Sequence, residues 1–516
     1  MNAAQPTFLI SHAPVHARQL AAAAANPATR IELSADALEL IGLSRDVVDE
    51  TILSGRQVYG LNTLLGSGRD TSVEEAAVLA YQVQVVRYHH SGVGDYLDRA
   101  AVRALILARL IGFSRGGSGV RTQTALFYQE LLNRGVYPAV PREGSVGSSD
   151  LTQLAAVAAV AIGEGHVLGA DGTLVPGAQA LADAGLEPLT LDAGEALALL
   201  SANSYSIGSG ALVLGRLLRL AELADLALAL SLEVIARYDD GGNLSPFSPL
   251  IQAAKAVEGQ RQSAEAVRRL LGGGWLEDVR PGVSVQDPLS FRAAPQTHGA
   301  FRHVVGQLEA AIEVELNGRG DNPLCDVESA LMVSGGNFQP VQLALAFEST
   351  RLALAHVGIS SERRIAKLYP PQRAIRQRHL AAARDGAALA AEELPGLLWY
   401  SAAALLAELK VLAAPATLGA PTLSADVEDH STLAPLALQQ LEKSHEAAEK
   451  LLTVEAVTAA YLLGEAEQQE ARPLGKGTGA VVGQLAELLA QRLPPPELVA
   501  RARHALLAAL EREGQL

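Results

Sequence analysis

The apolar residues of this chain recur at three- and four-residue spacing almost from end to end, the period at which one face of a helix is buried. Over residues 36–53, 72–90, 97–113 and 121–134 the pattern is cut into short pieces by turns containing Gly or Pro, which predicts short packed helices. From about residue 186 the pieces lengthen. Residues 193–238, 248–271, 294–317, 336–368, 375–411 and 434–468 all keep helical period, which predicts long helices side by side in a bundle. One stretch departs from the pattern: "HVLGADGTLV", residues 166–175, sets an Asp-Gly turn between two β-prone runs, and a hairpin is expected there as the one notable sheet.

The fold class these elements predict is all-α. The expected division is a smaller N-terminal helical domain over 1–190 carrying the hairpin, a central bundle of long helices over 191–472, and a helical tail over 473–516 interrupted by "RLPPPELV". No Pro- or Ser-rich linker separates them, so the boundary near residue 190 should be tightly packed. Several helices are apolar on more than one face, which points to burial against another copy of the chain.

Composition narrows the function. Of 516 residues, 49% are apolar and 19% charged, enough apolar surface for a large core. The formal charge is 41 − 56 = −15, and no run of Lys or Arg interleaves with aromatics, so a nucleic-acid partner is not expected. The longest apolar stretch, Gly210 to Tyr238, is broken by Arg216, Arg219, Glu222, Asp225 and Glu233, which a bilayer disfavours; it reads as a buried helix. The first thirty residues show no basic region followed by an apolar core, so the expected location is cytoplasmic. Cys325 is the only cysteine, which excludes an intrachain disulfide and a Cys-rich metal site and leaves a passive core thiol. A small-molecule role is favoured.

The chemistry lies in loops. "VYGLNTLLGSG" (58–68), "YHHSGVG" (88–94), "GSVGSSD" (144–150), "VQDPLSFRAAPQTHG" (285–299), "GRGDNPL" (318–324) with "SGGNFQP" (334–340), and "LSADVEDHSTL" (423–433) are polar or glycine-rich where the flanking helices are not. Each alone reads as turn chemistry or helix capping. His89 and His90 have no Asp, Glu or third His at ligand spacing beside them, so no metal is expected.

In this order and spacing the segments resemble the aromatic amino-acid and histidine ammonia-lyase family over roughly residues 30–470, with "SERRIAKL", "ELKVLAAPA" and "VEDH" adding to the match. The resemblance implies a fumarase-like, all-α homotetramer with a central helical bundle and sites built from three subunits. It casts Tyr59 as general base, Arg292 as the grip on a substrate carboxylate and Glu428 as a pocket carboxylate. By the same resemblance His89 lies beside the substrate side chain and Phe338 near the electrophile, while Ser201, Asn203, Leu289 and Asn337 fall at substrate-binding positions. Physically, Tyr59 can act as a base only where cations or a helix N-terminus, such as the one opening at Leu151, favour the phenolate. Arg292 has an internal ion pair with Glu428 or Asp287 as its plain structural alternative.

Members of the family carry Ala-Ser-Gly in the "GSVG" turn and cyclise it to a methylidene-imidazolone, with the third residue's amide nitrogen attacking the first residue's carbonyl and two waters leaving. Here the turn is one residue shorter. If Asp150 sets the register, the triad is Gly147-Ser148-Ser149, whose third residue carries a side chain that opposes closure. Leu289 stands where the family has Tyr, Ser201 where it has Asn, and "NFQP" replaces "NFHG". The expectation is an enzyme acting by elimination or isomerisation on a small carboxylate-bearing substrate of the aromatic amino-acid kind. It would work without this electrophile or any other cofactor, with Ser148 and Ser149 as a polar cradle facing the pocket. An ordinary ammonia-lyase whose short turn still cyclises, and an inactive scaffold homologue, stand as alternatives.

Overall fold

The computed structural model describes residues 5–278, 284–385, 394–467 and 472–513, and most of these are helical. The expected helices appear as Ala35–Leu53, Val78–His89, Arg99–Ser114, Thr122–Asn133, Ala294–Asn317 and Ala434–Glu467. Three expectations fail. The 193–238 segment is cut at Ser201–Asn203 into Glu195–Leu200 and Ser204–Tyr238, and 248–271 is cut into Pro249–Ala254 and Glu258–Leu271. Conversely, Val341–Arg384 runs straight through Pro370 and Pro371, and a further helix spans Leu398–Leu412. Two adjacent prolines remove backbone donors and ordinarily end a helix; here Leu368 and Ile375 on either side are both buried to 1% exposure or less and keep the segment packed.

The hairpin is present, with His166–Leu168 antiparallel to Leu174–Pro176. It is one of four two-stranded sheets among the described residues. Thr7–Ile10 pairs in parallel with Arg30–Leu33, while Val93–Tyr96 with Pro141–Glu143 and Leu324–Asp326 with Leu331–Val333 are antiparallel. None of these carries an Asn-Gly or Asp-Gly turn, and two join strands that the sequence keeps apart, so no local signal announces them.

By their contacts the residues form two compact units, each drawn from three stretches: Met1–Gly215, Leu308–Glu348 and Pro415–Gln439 in the first, and Arg216–Gln307, Ser349–Ala414 and Gln440–Leu516 in the second. Four of the five boundaries fall inside long helices, where no linker composition exists to mark them; the fifth, between Ala414 and Pro415, lies just past the Leu398–Leu412 helix.

In the first unit Leu151–Ala161 is buried on every side, with residues from Leu154 to Ala161 at 2% exposure or less. Its Ala- and Val-rich sequence lets Val78–His89 and Glu195–Leu200 approach it closely. Arg99–Ser114 begins at Asp98, whose carboxylate accepts the Ala101 amide at 2.8 Å, and packs on Ala17–Ala25 and Thr122–Asn133. Cys325 sits in a cluster with Val47, Val48, Val58 and Met332, and burial pushes its thiol up to about 12, so it is the passive core thiol expected.

In the second unit Glu258–Leu271 packs on Lys476–Leu489, which packs in turn on Pro495–Glu513. Buried ion pairs fasten it. Arg364 and Glu455, both fully buried, are joined at 2.5 Å, and Arg302 holds Asp225 at 2.8 Å. No helix among the described residues is long and apolar enough to cross a membrane.

Candidate active site

The Gly147-Ser148-Ser149 turn is held at each of its three residues. Gly147 has φ +88°, and Thr432 Oγ1 with the backbone nitrogens of Leu433 and Ala434 fills the space where its Cβ would stand. The Gly147 carbonyl accepts the Thr432 hydroxyl at 2.7 Å, and the Ser149 amide donates to the Phe338 carbonyl at 3.3 Å. The Ser148 hydroxyl meets Ser431 Oγ at 3.0 Å and takes a hydrogen bond from Gln339 Nε2 at 3.1 Å. Gln339 also donates to the His430 carbonyl at 2.9 Å, while its Oε1 is buried with no partner.

This corrects the expected cradle. Ser148 is 7% exposed and its hydroxyl is tied internally instead of facing a pocket. Ser149, 3% exposed and in the left-handed region at φ +64°, is the serine whose hydroxyl has no hydrogen bond among the described residues. Asp150 opens the helix but does not cap it with its side chain. Its fully buried carboxylate accepts the Ser206 amide at 2.8 Å and the Ser206 hydroxyl at 3.1 Å. Burial, with the Glu315 charge adding to it against the Ser206 bonds, pushes Asp150 up to about 7. Glu315 is itself raised by burial, and Asn203, 3% exposed, donates to it at 3.3 Å while its own Oδ1 finds no partner.

Tyr59 stands in a loop of the same unit. Its phenol oxygen accepts the Gly66 amide at 3.0 Å, and its ring lines a narrow cavity with Leu197, Ser201, Asp321 and Met332. Burial above all, with Glu428 nearby, holds its ionisation above the ordinary phenol range; the Gly66 bond and the Arg69 charge only partly oppose this. The expected cations and helix dipole therefore do not favour the phenolate here. Glu428 closes a small hairpin by exchanging hydrogen bonds with Leu423 at 2.8 and 3.2 Å. Inside it Ser424, Ala425 and Asp426 are three successive left-handed residues without a glycine among them, at φ 54°, 51° and 64°. Each such residue costs roughly 1 to 2 kcal/mol.

The remaining first-unit positions spread outward. His89 gives its Nδ1 to the Val85 carbonyl of its own helix at 2.8 Å, and the exposed Asn337 donates to the Arg319 carbonyl at 3.3 Å. Asp321 pairs with buried Arg109 at 2.7 Å. Sequence reasoning passed over Ser431, Thr432, Gln339 and Glu315, although the change from "NFHG" to "NFQP" was a signal for Gln339.

Leu289 and Arg292 belong to the second unit. They line a cleft there with Gln286, Asp287, Asp239 and Lys367. Leu289 is 64% exposed, and Arg292 is half-buried with no ion pair among the described residues. The structural alternative for Arg292 is absent: Asp287 accepts the Gly242 and Asn243 amides at 3.1 and 2.8 Å, while Lys367 is matched by Asp239 at 2.9 Å. A planar fork left open in a cleft suits a carboxylate.

Comparison with known proteins matches residues 15–487 to the family of aromatic amino acid lyases. A histidine ammonia-lyase of Alkaliphilus oremlandii is 33% identical over 85% of this chain and 86% of its own. Among solved structures, the ergothioneine-degrading ergothionase of Treponema denticola superposes with a TM-score of 0.87 at 25% identity, covering 99% of both chains. A tyrosine aminomutase of Streptomyces globisporus gives 0.85 at 28% identity, covering 98% of this chain and 99% of that one. The helical fold of these structures is the fold of this chain.

Proposed function

Because the chain belongs to the aromatic amino acid lyase family, we propose that it eliminates or migrates an amino group on a small α-amino acid with an imidazole or aryl side chain, without a cyclised electrophile. The observation that carries this is the state of the turn. Ring closure needs the Ser149 nitrogen to reach the Gly147 carbonyl carbon, and both groups have other partners, in Phe338 and Thr432. The Ala that the family places first would find no room at Gly147, and the third residue carries a side chain. The residues present therefore fit the ring badly.

Tyr59 removes the proton next to the departing amino group as the carbon–nitrogen bond breaks, and the open fork of Arg292 is of the kind that grips a carboxylate. A phenol held above its ordinary range is a strong base once ionised but is seldom ionised near neutrality, so the rate should climb with pH. The Ser149 hydroxyl at the opening of the Leu151–Ala161 helix is the donor left over for negative charge developing on the substrate. Self-association as a homotetramer belongs to the same reading. It is supported by the exposure of Val333, Val341 and Leu345 at 47%, 42% and 52% in the first unit, and of Tyr400 and Val411 at 65% and 75% in the second.

The mass of the intact purified chain tests the proposal. It should equal that of the unmodified sequence, and Ser148→Ala should reduce turnover of L-histidine or L-tyrosine about tenfold, as expected for the loss of one structural hydrogen bond. A chain lighter by two waters, inactive as Ser148→Ala, would restore the ordinary ammonia-lyase. An unlightened chain inert toward every aromatic amino acid would leave the scaffold reading.

A further inference from the structure

The loop that carries Tyr59 and the hairpin that carries Glu428 touch at one point. Ser67 donates its amide to Ser424 Oγ at 3.1 Å, and the neighbouring Gly66 amide is the one Tyr59 accepts at 3.0 Å. Two successive amides thus face in two directions, one to the phenol and one to the hairpin. Gly66 is required there: at φ +58° it lies so close that a Cβ would overlap Ser424 Oγ. On the other side, Ser424 is the first of the three left-handed residues, and the hairpin around it is closed by the paired Leu423 and Glu428 and by the Val427 amide on the Ser424 carbonyl at 3.3 Å.

We propose that Ser424 is a positioning residue that clasps the Tyr59 loop to the Glu428 hairpin, so that one hydroxyl sets the separation of the phenol and the carboxylate. This rests on the reading above in which Tyr59 works on the substrate. The strained turn acquires a purpose on this view. A serine in an ordinary conformation at position 424 would swing its hydroxyl away from Ser67, and the left-handed run is what aims it. The electrostatics agree with a fixed separation, since the Glu428 charge is felt at Tyr59, and Tyr59 is felt in turn at a second phenol, Tyr81, which takes a hydrogen bond from the Leu65 amide next along the same loop. Loosening the clasp lets Glu428 drift and opens the Tyr59 edge to water, so both influences that hold the phenol protonated weaken together.

The test uses the full chain grown with ring-carbon-13 tyrosine, the Tyr59 signal being assigned by its absence in Tyr59→Phe. Ser424→Ala should move the Tyr59 signal and bring its ionisation back toward the ordinary phenol value. With L-histidine as probe, kcat should fall at least tenfold while KM changes less than twofold. Gly66→Ala should do the same by forcing the two loops apart. Asp426→Gly, which relaxes the same hairpin but leaves the Ser424 hydroxyl in place, should leave the signal and kcat as in the parent.

A Tyr59 signal and ionisation unchanged in Ser424→Ala overturns the proposal, whether or not L-histidine is turned over. So does an equal response in Asp426→Gly, which would make the effect one of hairpin fold alone. Full activity in Tyr59→Phe would instead remove the catalytic reading of Tyr59, an outcome visible separately from the signal of the clasp.

Discussion

Glu455 and Asp150 are both fully buried, one in each unit, and their surroundings are opposite. Glu455 is met by Arg364 through two nitrogens at 2.5 and 2.9 Å and by the hydroxyls of Ser231 and Ser361 at 2.8 and 2.6 Å. Asp150 is met by the amides of Ser206 and Tyr205 and the Ser206 hydroxyl, with no cation paired to it among the described residues and with Glu315 close enough to oppose its charge. A buried carboxylate matched by a guanidinium fastens the fold, and removing its partner is costly. A buried carboxyl left without one stays ready to take or lose a proton near neutrality, which is the condition of a functional region and not of a fastening. The same contrast separates Arg364, fully tied, from Arg292, left open in its cleft.

Variants on the two sides should therefore move different quantities. The largest effect is expected from Arg364→Ala, which strands Glu455 and should lower unfolding stability by about 3 to 5 kcal/mol in denaturant titration; a loss below about 1 kcal/mol would dissolve the distinction. Next comes Tyr59→Phe, expected to cut turnover at least about a hundredfold with thermal stability nearly kept. In the parent, kcat/KM should rise from neutral into alkaline pH, and a flat or falling profile would remove the phenolate from the mechanism.

Asp150 gives a smaller, signed effect. Its folded-state value of about 7 lies above that of an unfolded carboxyl, so the folded chain holds a proton that the unfolded chain releases. Stability is then greatest below pH 4 and falls as pH rises toward 7, by at most about 1.4 kcal/mol per pH unit. Asp150→Asn should flatten that slope in unfolding curves taken at pH 4.5, 6 and 7.5. The smallest effect is expected from Arg292→Lys, which keeps the charge and loses the fork. It should raise KM for an amino-acid substrate about tenfold, worth about 1.4 kcal/mol, with no change in unfolding.

Much of this was legible in the residues. Helical period located the long helices because each buries a continuous stripe, and Ala294–Asn317 and Ala434–Glu467 emerged within a residue or so of the reading. It failed where a local rule met tertiary packing, as at Pro370 and Pro371, and where a break carries no Gly or Pro, as at Ser201–Asn203. The site divides in the same way. The motifs around Tyr59, the serine turn and Glu428 are contiguous and could be read; the grip of Ser431 on Ser148 spans 283 residues and leaves no mark in either segment. Direction was also hidden: nothing in "GSVGSSD" tells that Ser148 turns inward and Ser149 keeps its hydroxyl open.

Cys325 has a practical consequence. It is the only sulfhydryl in the chain, fully buried, with a thiol that ionises only near 12. Maleimides and disulfide reagents act on thiolates they can reach, so the folded protein should be silent toward them at neutral pH. Any cysteine introduced on the surface is then a unique chemical handle. Placed at the exposed Asp426, a fluorophore would report the Glu428 hairpin with no background from the parent chain.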